Sequence, residues 1–345
     1  MNPVQFIFSS LFNNGVIIEE SKKQPWWLGI VLAIVSCIVA IVPSFVSTMG
    51  QNGSDLITAQ ENYNLDYSLK TFTNEYLKKE ENADPKIKMS ISEDGILTCN
   101  YSDTVEIKYE ENVTLLFKFV DDSDKLTSTM NKLKTSYPIA NTNAEDTTLK
   151  SSLKNILIFT QNDLYLYIYA KDATCTYTED NGVRTVETSD DPIGMTSGTF
   201  KDISDSLKNF NNYYSTSSAQ ESERQKVVLE KWVSLFNEAY EPIKIEGSFT
   251  YAGISSLLNV GVILIMSLTV FLLSLTKSSI RKFNFLEALK MTLFASISPA
   301  LIAMIASFLI PSLQSMGFVL FLGLRMTWLG MKATSPDEEQ EAVRK

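Results

Sequence analysis

The stretch WWLGIVLAIVSCIVAIVPSFVSTM, residues 26–49, decides the fold of this chain. It contains no charged side chain, and it is longer than the ~20 residues that a helix needs to cross about 30 Å of hydrocarbon. We therefore predict a membrane-spanning helix. The alternative is a secretory signal, because Lys22 and Lys23 precede the stretch. Signals, however, have an apolar part of only ~7 to 15 residues, which favours an uncleaved anchor.

Three further apolar blocks lie towards the other end of the chain, at residues 254–276, 288–310 and 316–333. Each approaches the length of a membrane span, although the last is short and contains Arg325. Together with residues 26–49, they predict a membrane α-helical bundle of about four transmembrane helices. Residues 1–25 then form an N-terminal cytoplasmic or interfacial segment, and residues 334–345 form a charged cytoplasmic tail.

Residues 50–250 have a different composition, with short apolar runs between charged residues. Positions 51–250 carry 33 acidic and 20 basic side chains, a net charge of −13, whereas the whole chain carries −10. The rest of the chain therefore carries +3, and the acidity belongs to this segment. It predicts a soluble domain inserted between the first two spans, and it argues against binding to nucleic acid or anionic lipid headgroups.

The apolar periodicity of the insert predicts an α+β domain with an antiparallel sheet. Leu65, Leu69, Phe72 and Tyr76 have helical spacing, and so do residues 200–214 and 228–239. Alternating residues predict strands, several of them in hairpins, within residues 87–91, 97–101, 105–109, 113–119, 156–159, 164–169, 175–177 and 183–186. Tyr165, Tyr167 and Tyr169 share one strand face, as a core-facing stripe or, alternatively, as a platform for a sugar ring.

Basic residues at the helix ends predict the orientation, because cytoplasmic loops retain Lys and Arg. Lys22 and Lys23 precede the first span, and Lys277, Arg281 and Lys282 lie between the second and third. Both positions are therefore expected inside. This predicts a multi-pass plasma-membrane protein with both termini in the cytoplasm and residues 50–250 outside.

The N-terminal segment contains a short apolar helix pattern at residues 6–12, followed by Asn13, Asn14 and Gly15, which would end it. One interpretation places this helix in the plane of the membrane interface, with Trp26 and the residue after it marking the headgroup level. The other packs it on the bundle.

The sequence supplies no set of catalytic residues. Histidine is absent, which removes the commonest general base and a common metal ligand. The sequence also lacks a Walker phosphate loop, a G-x-S-x-G elbow and a C-x-x-C pair. We therefore predict a non-enzymatic protein without a cofactor or a metal site.

Candidate site residues are few, and most are polar residues at or near the membrane. Arg325 is costly in hydrocarbon, so we expect it either to snorkel towards the interface or to make a functional contact in a helix groove. Glu287 and Lys290 are spaced to pair on one helix face. Pro299 should free a carbonyl and bend its helix, and the glycines of the last span should allow close packing.

Cysteine usage leaves two interpretations open. Cys99 and Cys175 both lie on predicted strands of the outer domain, where oxidation is permitted, so they either form a disulfide or remain unpaired thiols.

Several short motifs resemble those of a domain family of unknown function found in Gram-positive bacterial membrane proteins, some of which are labelled maltodextrin-utilisation proteins. The motifs are FSSLF at 8–12, AIVPSF at 40–45, DGIL at 94–97, ILIFT at 156–160, NDL at 162–164 and FLEALK at 285–290. The similarity follows the order and topology of most of the chain. It implies an accessory role in the plasma membrane with a link to sugar uptake, and it supplies no catalytic residues.

Three functions agree with these features of the sequence. The first is a membrane accessory or scaffold protein that associates with the lipid bilayer and with a sugar transporter permease or another membrane protein. The second is a sensor whose outer domain binds a ligand and signals through the first two helices. The third is a membrane enzyme that acts on lipid or cell-wall material, which the absence of histidine disfavours.

Overall fold

The computed structural model describes residues 1–58, 64–79, 84–109, 112–135, 148–150, 155–169, 174–180, 183–188, 194–214, 220–275 and 283–334. The chain forms two compact units. The bundle unit comprises Met1–Gly50 and Glu246–Lys345, and the inserted unit comprises Gln51–Ile245.

The described part of the chain is mostly helical. Its helices are α1 (Pro3–Phe12), α2 (Asn14–Glu20), α3 (Trp26–Met49), α4 (Asp55–Thr58), α5 (Leu65–Phe72), α6 (Leu126–Thr135), α7 (Asp205–Lys208), α8 (Glu221–Ser274), α9 (Phe285–Ala295), α10 (Ile297–Leu309) and α11 (Gly317–Thr334).

The strands of the described residues all belong to the inserted unit. They are β1 (Met89–Ile91), β2 (Leu97–Cys99), β3 (Val105–Tyr109), β4 (Asn112–Phe119), β5 (Thr148–Lys150), β6 (Asn155–Phe159), β7 (Asp163–Ile168), β8 (Thr174–Asp180), β9 (Val183–Thr188) and β10 (Gly194–Thr199). They form a β1-β2 hairpin, a five-stranded sheet in the order β10-β7-β6-β4-β3 and a three-stranded sheet in the order β5-β8-β9.

Among the described residues, three helical segments are long and apolar enough to cross a membrane: Trp26–Met49, Glu221–Ser274 and Phe285–Leu309. They overlap the first three predicted spans, which indicates a membrane protein. The fourth predicted span, residues 316–333, is helical as α11. It is not among the three apolar segments, because its two charged residues, Arg325 and Lys332, lower its mean hydropathy.

The five-stranded sheet is antiparallel except at one pair. β3 with β4, β6 with β7, and β7 with β10 pair antiparallel, which confirms the predicted antiparallel sheet at these pairs. β4 and β6, however, pair in parallel. A parallel pair needs a crossover connection, and α6 lies in the chain between these two strands.

The sheet buries both of its faces, which separates its apolar residues into two cores. Leu115 and Phe117 of β4 belong to the main core, which is built around Trp232 of α8. Leu116, between them, belongs to a smaller core with Met130 and Leu133 of α6. This alternation follows from the two-residue period of a strand.

One predicted helix of the inserted unit is wrong. Residues 200–214 have helical spacing, but they form only the single turn α7 and a 3₁₀ turn at Phe210–Asn212. The apolar side chains Phe200, Ile203 and Leu207 are nevertheless buried in the main core. Apolar side chains that are buried from turns can therefore have the same spacing along the sequence as those of a helix.

β10 has no strand prediction, because its sequence GMTSGT lacks the large β-branched and aromatic residues that usually mark a strand. The structure explains Gly198: a Cβ there would lie 2.6 Å from Cβ of Ala239 in α8. Close approach of α8 to the sheet therefore requires a residue without a side chain.

α8 is one continuous helix, although the sequence suggested separate helical segments at residues 228–239 and 254–276. Pro242 lies within it without ending it. The helix supplies Trp232 and Phe236 to the core of the inserted unit, and Ile263 and Val270 to the core of the bundle unit.

Candidate functional site

Arg325 of α11 is partly buried in the bundle unit, where its guanidinium makes three hydrogen bonds. Its Nε donates to Oδ1 of Asn14 at 3.2 Å, and its Nη1 donates to the carbonyl of Ala295 at 3.0 Å. Its Nη2 donates to the carbonyl of Ser10. The guanidinium therefore contacts the α1–α2 connection and the junction between α9 and α10, rather than snorkelling along its own helix.

Pro299 explains why the Ala295 carbonyl is available. In a regular helix that carbonyl would accept the N–H of the residue four positions later, which is residue 299, and proline has no N–H. The helix breaks at this place, with α9 ending at Ala295 and α10 beginning at Ile297. The predicted free carbonyl and bend at Pro299 are thus present, and Arg325 satisfies the carbonyl.

The α1–α2 segment is a helical hairpin that brings Ser10 and Asn14 to Arg325. Gln24 Nε2 donates to the Met1 carbonyl at 3.3 Å, so the end of the hairpin lies beside the first residue of the chain. Phe6 is fully buried, and its ring meets the ring of Phe294 edge to face at 4.8 Å. The helix therefore packs on the bundle through Phe6, and its placement in the membrane interface stays a prediction.

A second polar contact lies at the same break. Oγ of Ser296 and Oγ of Ser36 in α3 are 2.8 Å apart, and both side chains are buried. Ser296 also donates to the carbonyl of Leu293. The middle of the apolar segment Phe285–Leu309 is therefore held by polar contacts on more than one side.

A groove of about 230 Å³ adjoins Arg325. Its polar lining is Asn14, Ser298 and Arg325, and its apolar lining is Leu11, Phe12, Pro299, Ile302, Phe321, Leu324 and Trp328. Asn14 is 7 % exposed, and its Nδ2 is buried without a hydrogen-bond partner in the described residues. The groove therefore holds a cation and an unused donor in apolar surroundings.

Glu287 and Lys290 do not form the predicted pair. Glu287 Oε1 contacts Nζ of Lys22 at 2.9 Å, and Glu287 forms a capping box with Asn284. Lys290 Nζ instead donates to the carbonyl of Lys22 at 3.0 Å and lies 5.6 Å from the ring centre of Trp26. Capping turns the carboxylate back over the first turn of α9, where Lys22 supplies the closer cation.

The inserted unit has a larger groove of about 540 Å³, lined by Lys79, Lys88 and several asparagines. Most of the asparagine contacts are internal. Asn211 Nδ2 donates to the carbonyls of Leu77 and Ile87, and Asn100 Oδ1 accepts from the backbone N–H of Lys88. These amides join loops of the fold, so the groove has a structural explanation.

The cysteine question is decided for Cys99. It is a free thiol, and its Sγ donates to the carbonyl of Tyr101 at 3.4 Å. Burial raises the pKa of this thiol. Of the two interpretations, the structure shows the unpaired thiol at Cys99, and the side chain of Cys175 lies outside the described residues.

The tyrosine stripe of β7 packs against the smaller core. Tyr165 and Tyr167 are partly buried there, next to the buried Tyr169. Burial raises the pKa of both partly buried hydroxyls. The stripe is therefore a core-facing one, as the first of the two interpretations expected.

Sequence reasoning identified Arg325 but missed its partners. The sequence marks Asn14 only as part of a helix end, and it does not single out Ser36 or Ser296. One signal was present: the carbonyl freed by Pro299 had to be that of Ala295, and a donor inside the bundle had to satisfy it. The position of the α1–α2 hairpin had no such signal.

In comparisons with protein-family models, curated proteins and solved structures, nothing matched this chain. The resemblance to the family of Gram-positive membrane proteins stays a prediction.

Proposed function

We propose that this chain is a multi-pass accessory or scaffold protein of the plasma membrane, in which α8 presents an exposed apolar stripe to a membrane helix of a partner. In this proposal α11 is a fourth span, the termini are cytoplasmic, and the inserted unit lies outside. The protein is non-enzymatic and carries no cofactor.

The exposure of α8 carries the proposal. Only 17 % of its apolar window is buried within the structure, against 44 % for Trp26–Met49 and 50 % for Phe285–Leu309. Ile254, Leu257 and Ile265 are more than half exposed. A helix that packs so little on its own unit has a free face for another helix.

The glycines of α8 favour protein rather than lipid on this face. A Cβ added to Gly253 or Gly261 would meet no atom within 4 Å. They flank Leu257 at intervals of four residues, so all three lie on one helix side. Small residues let two helix backbones approach closely in a membrane, where apolar burial alone drives little association.

The opposite side of α8 shows how such glycines work within the chain. A Cβ added to Gly330 of α11 would lie 3.2 Å from Leu273 Cδ1, and one added to Gly323 would lie 3.5 Å from Met266 Cε. The tight distance at Gly330 supports close helix packing there, whereas the distance at Gly323 is an ordinary van der Waals contact. Gly253 and Gly261 have no counterpart of this kind among the described residues.

The test is a pull-down of the tagged full-length protein from its own membranes in a mild detergent, with partners identified by mass spectrometry. We expect a membrane protein to be recovered with the wild type and to be lost with Gly253→Leu/Gly261→Leu, because the added side chains separate the two helix backbones. Leu257→Ile is the matched control on the same face and should retain the partner.

Recovery of a sugar permease would extend the accessory role to sugar uptake, which the resemblance implies. Repeated recovery of no stable partner, or equal recovery with the double glycine variant, would reject the proposal.

A sensor is the second candidate, because one helix contributes to both cores. α8 places Trp232 in the core of the inserted unit and Val270 in that of the bundle unit. A ligand held by the inserted unit would then act through α8. Deletion of residues 55–245 should abolish the cytoplasmic response, and an unchanged response would reject the sensor.

A further inference from the structure

The guanidinium of Arg325 has donors to spare. A guanidinium carries five N–H groups. Three of them donate to neutral acceptors in the described residues, which leaves two N–H groups for a ligand. None of the salt bridges in the described part of the chain includes Arg325. A partly buried cation without an anionic partner is costly in apolar surroundings, and an acidic ligand would offset that cost.

Asn14 adds a second donor group at the same place. Its Oδ1 accepts from Arg325, which fixes the orientation of the amide and leaves Nδ2 on the other side. That Nδ2 is the buried atom without a partner among the described residues. Ser298 contributes a hydroxyl to the same groove. The polar lining can therefore donate to both oxygens of one small acidic group.

The remaining lining is hydrocarbon, and much of it faces outwards. Phe12 is 88 % exposed, and Leu324 and Trp328 are each 63 % exposed. The groove, at about 230 Å³, is smaller than the ~300 to 1,000 Å³ usual for a whole small-molecule ligand. It fits the polar end of a ligand whose apolar remainder lies along the exposed side chains.

From this arrangement we propose that the groove binds the carboxyl end of a single-chain fatty acid, which enters sideways from the bilayer. The carboxyl oxygens accept from the free N–H groups of Arg325 and from Nδ2 of Asn14, and the acyl chain covers Phe12, Leu324 and Trp328.

The depth of the site favours a carboxyl group over a phosphate. Arg325 donates to the carbonyl of Ala295 as well as to Asn14. Ala295 lies near the middle of the 25-residue segment Phe285–Leu309. A phosphate headgroup would have to bring a permanent charge to that depth, at a high desolvation cost. A fatty acid can reach the same depth with its carboxyl group uncharged, and it ionises beside the Arg325 guanidinium with its proton leaving to the aqueous phase.

This site is separate from the exposed stripe of α8. None of its lining residues lies in α8, so the accessory function can fail while fatty-acid binding holds, and the reverse.

The experiment uses the full-length protein in phosphatidylcholine nanodiscs and a palmitic acid that carries a diazirine in its chain. After illumination, we expect labelled peptides around residues 11–14, 298–302 and 321–328. Unlabelled palmitate should compete, whereas hexadecanol, which has the same chain and no acid, should not.

Asn14→Asp tests the donor set. The variant keeps an oxygen that accepts from Arg325, but it loses the free N–H groups of the amide. Its carboxylate also pairs with the guanidinium in place of the ligand, so labelling should fall about tenfold or more. Asn13→Asp is the matched control, because it adds the same charge one residue away and outside the lining. We expect it to label like the wild type.

Ser298→Leu fills the groove without removing a hydrogen bond of Arg325, and it serves if the Asn14→Asp variant does not fold. It should also abolish labelling. Competition by lysophosphatidic acid but not by palmitate would assign a phosphate ligand and overturn the proposal. Equal labelling in all variants, or competition by hexadecanol, would show unspecific partitioning and overturn it as well.

Discussion

The cores of the two units differ in the size and polarity of their side chains. The main core of the inserted unit is built from large rings, in which Trp232 contacts Phe72, Phe159, Phe210 and Tyr213. The core of the bundle unit contains small residues, and buried hydroxyls lie among them. These residues are Ala33, Ser36, Ala40, Ala288, Thr292, Ala295, Ser296, Ala300, Ala303 and Ser307.

The difference follows from the solvent that each core replaces. In water, burial of apolar area is the main driving force, at about 25 cal/mol per Å², so large rings stabilise most. Between helices in lipid that force is small, and close packing and internal hydrogen bonds take its place. The inserted unit is therefore stabilised mainly by burial of large apolar side chains, and the bundle unit mainly by close packing of small side chains and internal hydrogen bonds.

Trp232→Ala should have the largest effect on stability. The indole is fully buried, and its Nε1 donates to Oγ1 of Thr73 at 2.9 Å, so truncation leaves a cavity and removes this hydrogen bond. We expect a loss of about 3–5 kcal/mol. Hydrogen exchange of the amides in β6 and β7, measured in the full-length protein, would report it.

Lys226→Ala on the same helix is the control, because Lys226 is an exposed residue whose ion pair with Glu230 is a surface pair. It should change stability little. Similar exchange rates for the two variants would contradict the view that large rings hold this unit together.

Arg325→Leu should have the next largest effect, now in the bundle unit. It leaves Oδ1 of Asn14 and the carbonyl of Ala295 without a donor, at roughly 1–3 kcal/mol for each buried acceptor. The α1–α2 hairpin should loosen, which faster amide exchange in α2 would show.

Pro299→Ala provides a rescue specific to this explanation. Alanine at 299 restores the N–H that the Ala295 carbonyl lacks. The double variant Arg325→Leu/Pro299→Ala should therefore recover part of the stability that Arg325→Leu loses. Additive losses in the double variant would mean that Pro299 and Arg325 do not share this carbonyl.

Ser36→Ala should have a small effect. It removes the contact with Oγ of Ser296, and single polar contacts between membrane helices average about 0.6 kcal/mol. Thermal unfolding in detergent would measure the change. Thr269→Ala is the control, because its hydroxyl bonds within its own helix. If Ser36→Ala lowered stability as much as Trp232→Ala, the proposed difference between the two cores would be wrong.

The smallest effect is expected from acid titration of the inserted unit. The Lys208 ammonium donates to Asp205 and holds the pKa of that carboxyl below its usual range. A carboxyl with a lowered pKa stabilises the fold above its unfolded value, about 3.9, and this contribution is lost as the pH falls through the folded value.

Lys208→Met should therefore weaken the pH dependence of unfolding slightly between about pH 5 and 2, because its partner then titrates normally. Lys226→Met is the control at an exposed position. Identical pH profiles for Lys208→Met and the wild type would show that the surface pair contributes nothing, as many exposed pairs do.

The sequence predicted the elements well wherever one period dominated. Residues 26–49 have the bounds of α3, and the alternation at residues 105–109 and 113–119 marks β3 and β4. The sequence did not predict the structure where residues buried from turns have helical spacing, or where a strand contains few apolar residues. Phe200 and Leu207 are buried from turns, and β10 has a glycine where α8 approaches closely.

The candidate site was predictable only in part. Arg325 stands out in any apolar segment, and Pro299 marks the carbonyl that needs a donor. Asn14 could not be assigned, because its role depends on a hairpin that places it beside a residue 311 positions away. No local pattern records such a contact.

By itself, the sequence determined the apolar segments, their separation from an acidic insert and the alternation of the strands, because these depend on composition and on spacing along the chain. Only the tertiary structure decided that β4 and β6 run in parallel, that Lys22 rather than Lys290 pairs with Glu287, and that Asn14, Ala295 and Arg325 meet. The reason is that hydrogen bonds between distant residues depend on how helices and strands pack, which local periodicity does not encode.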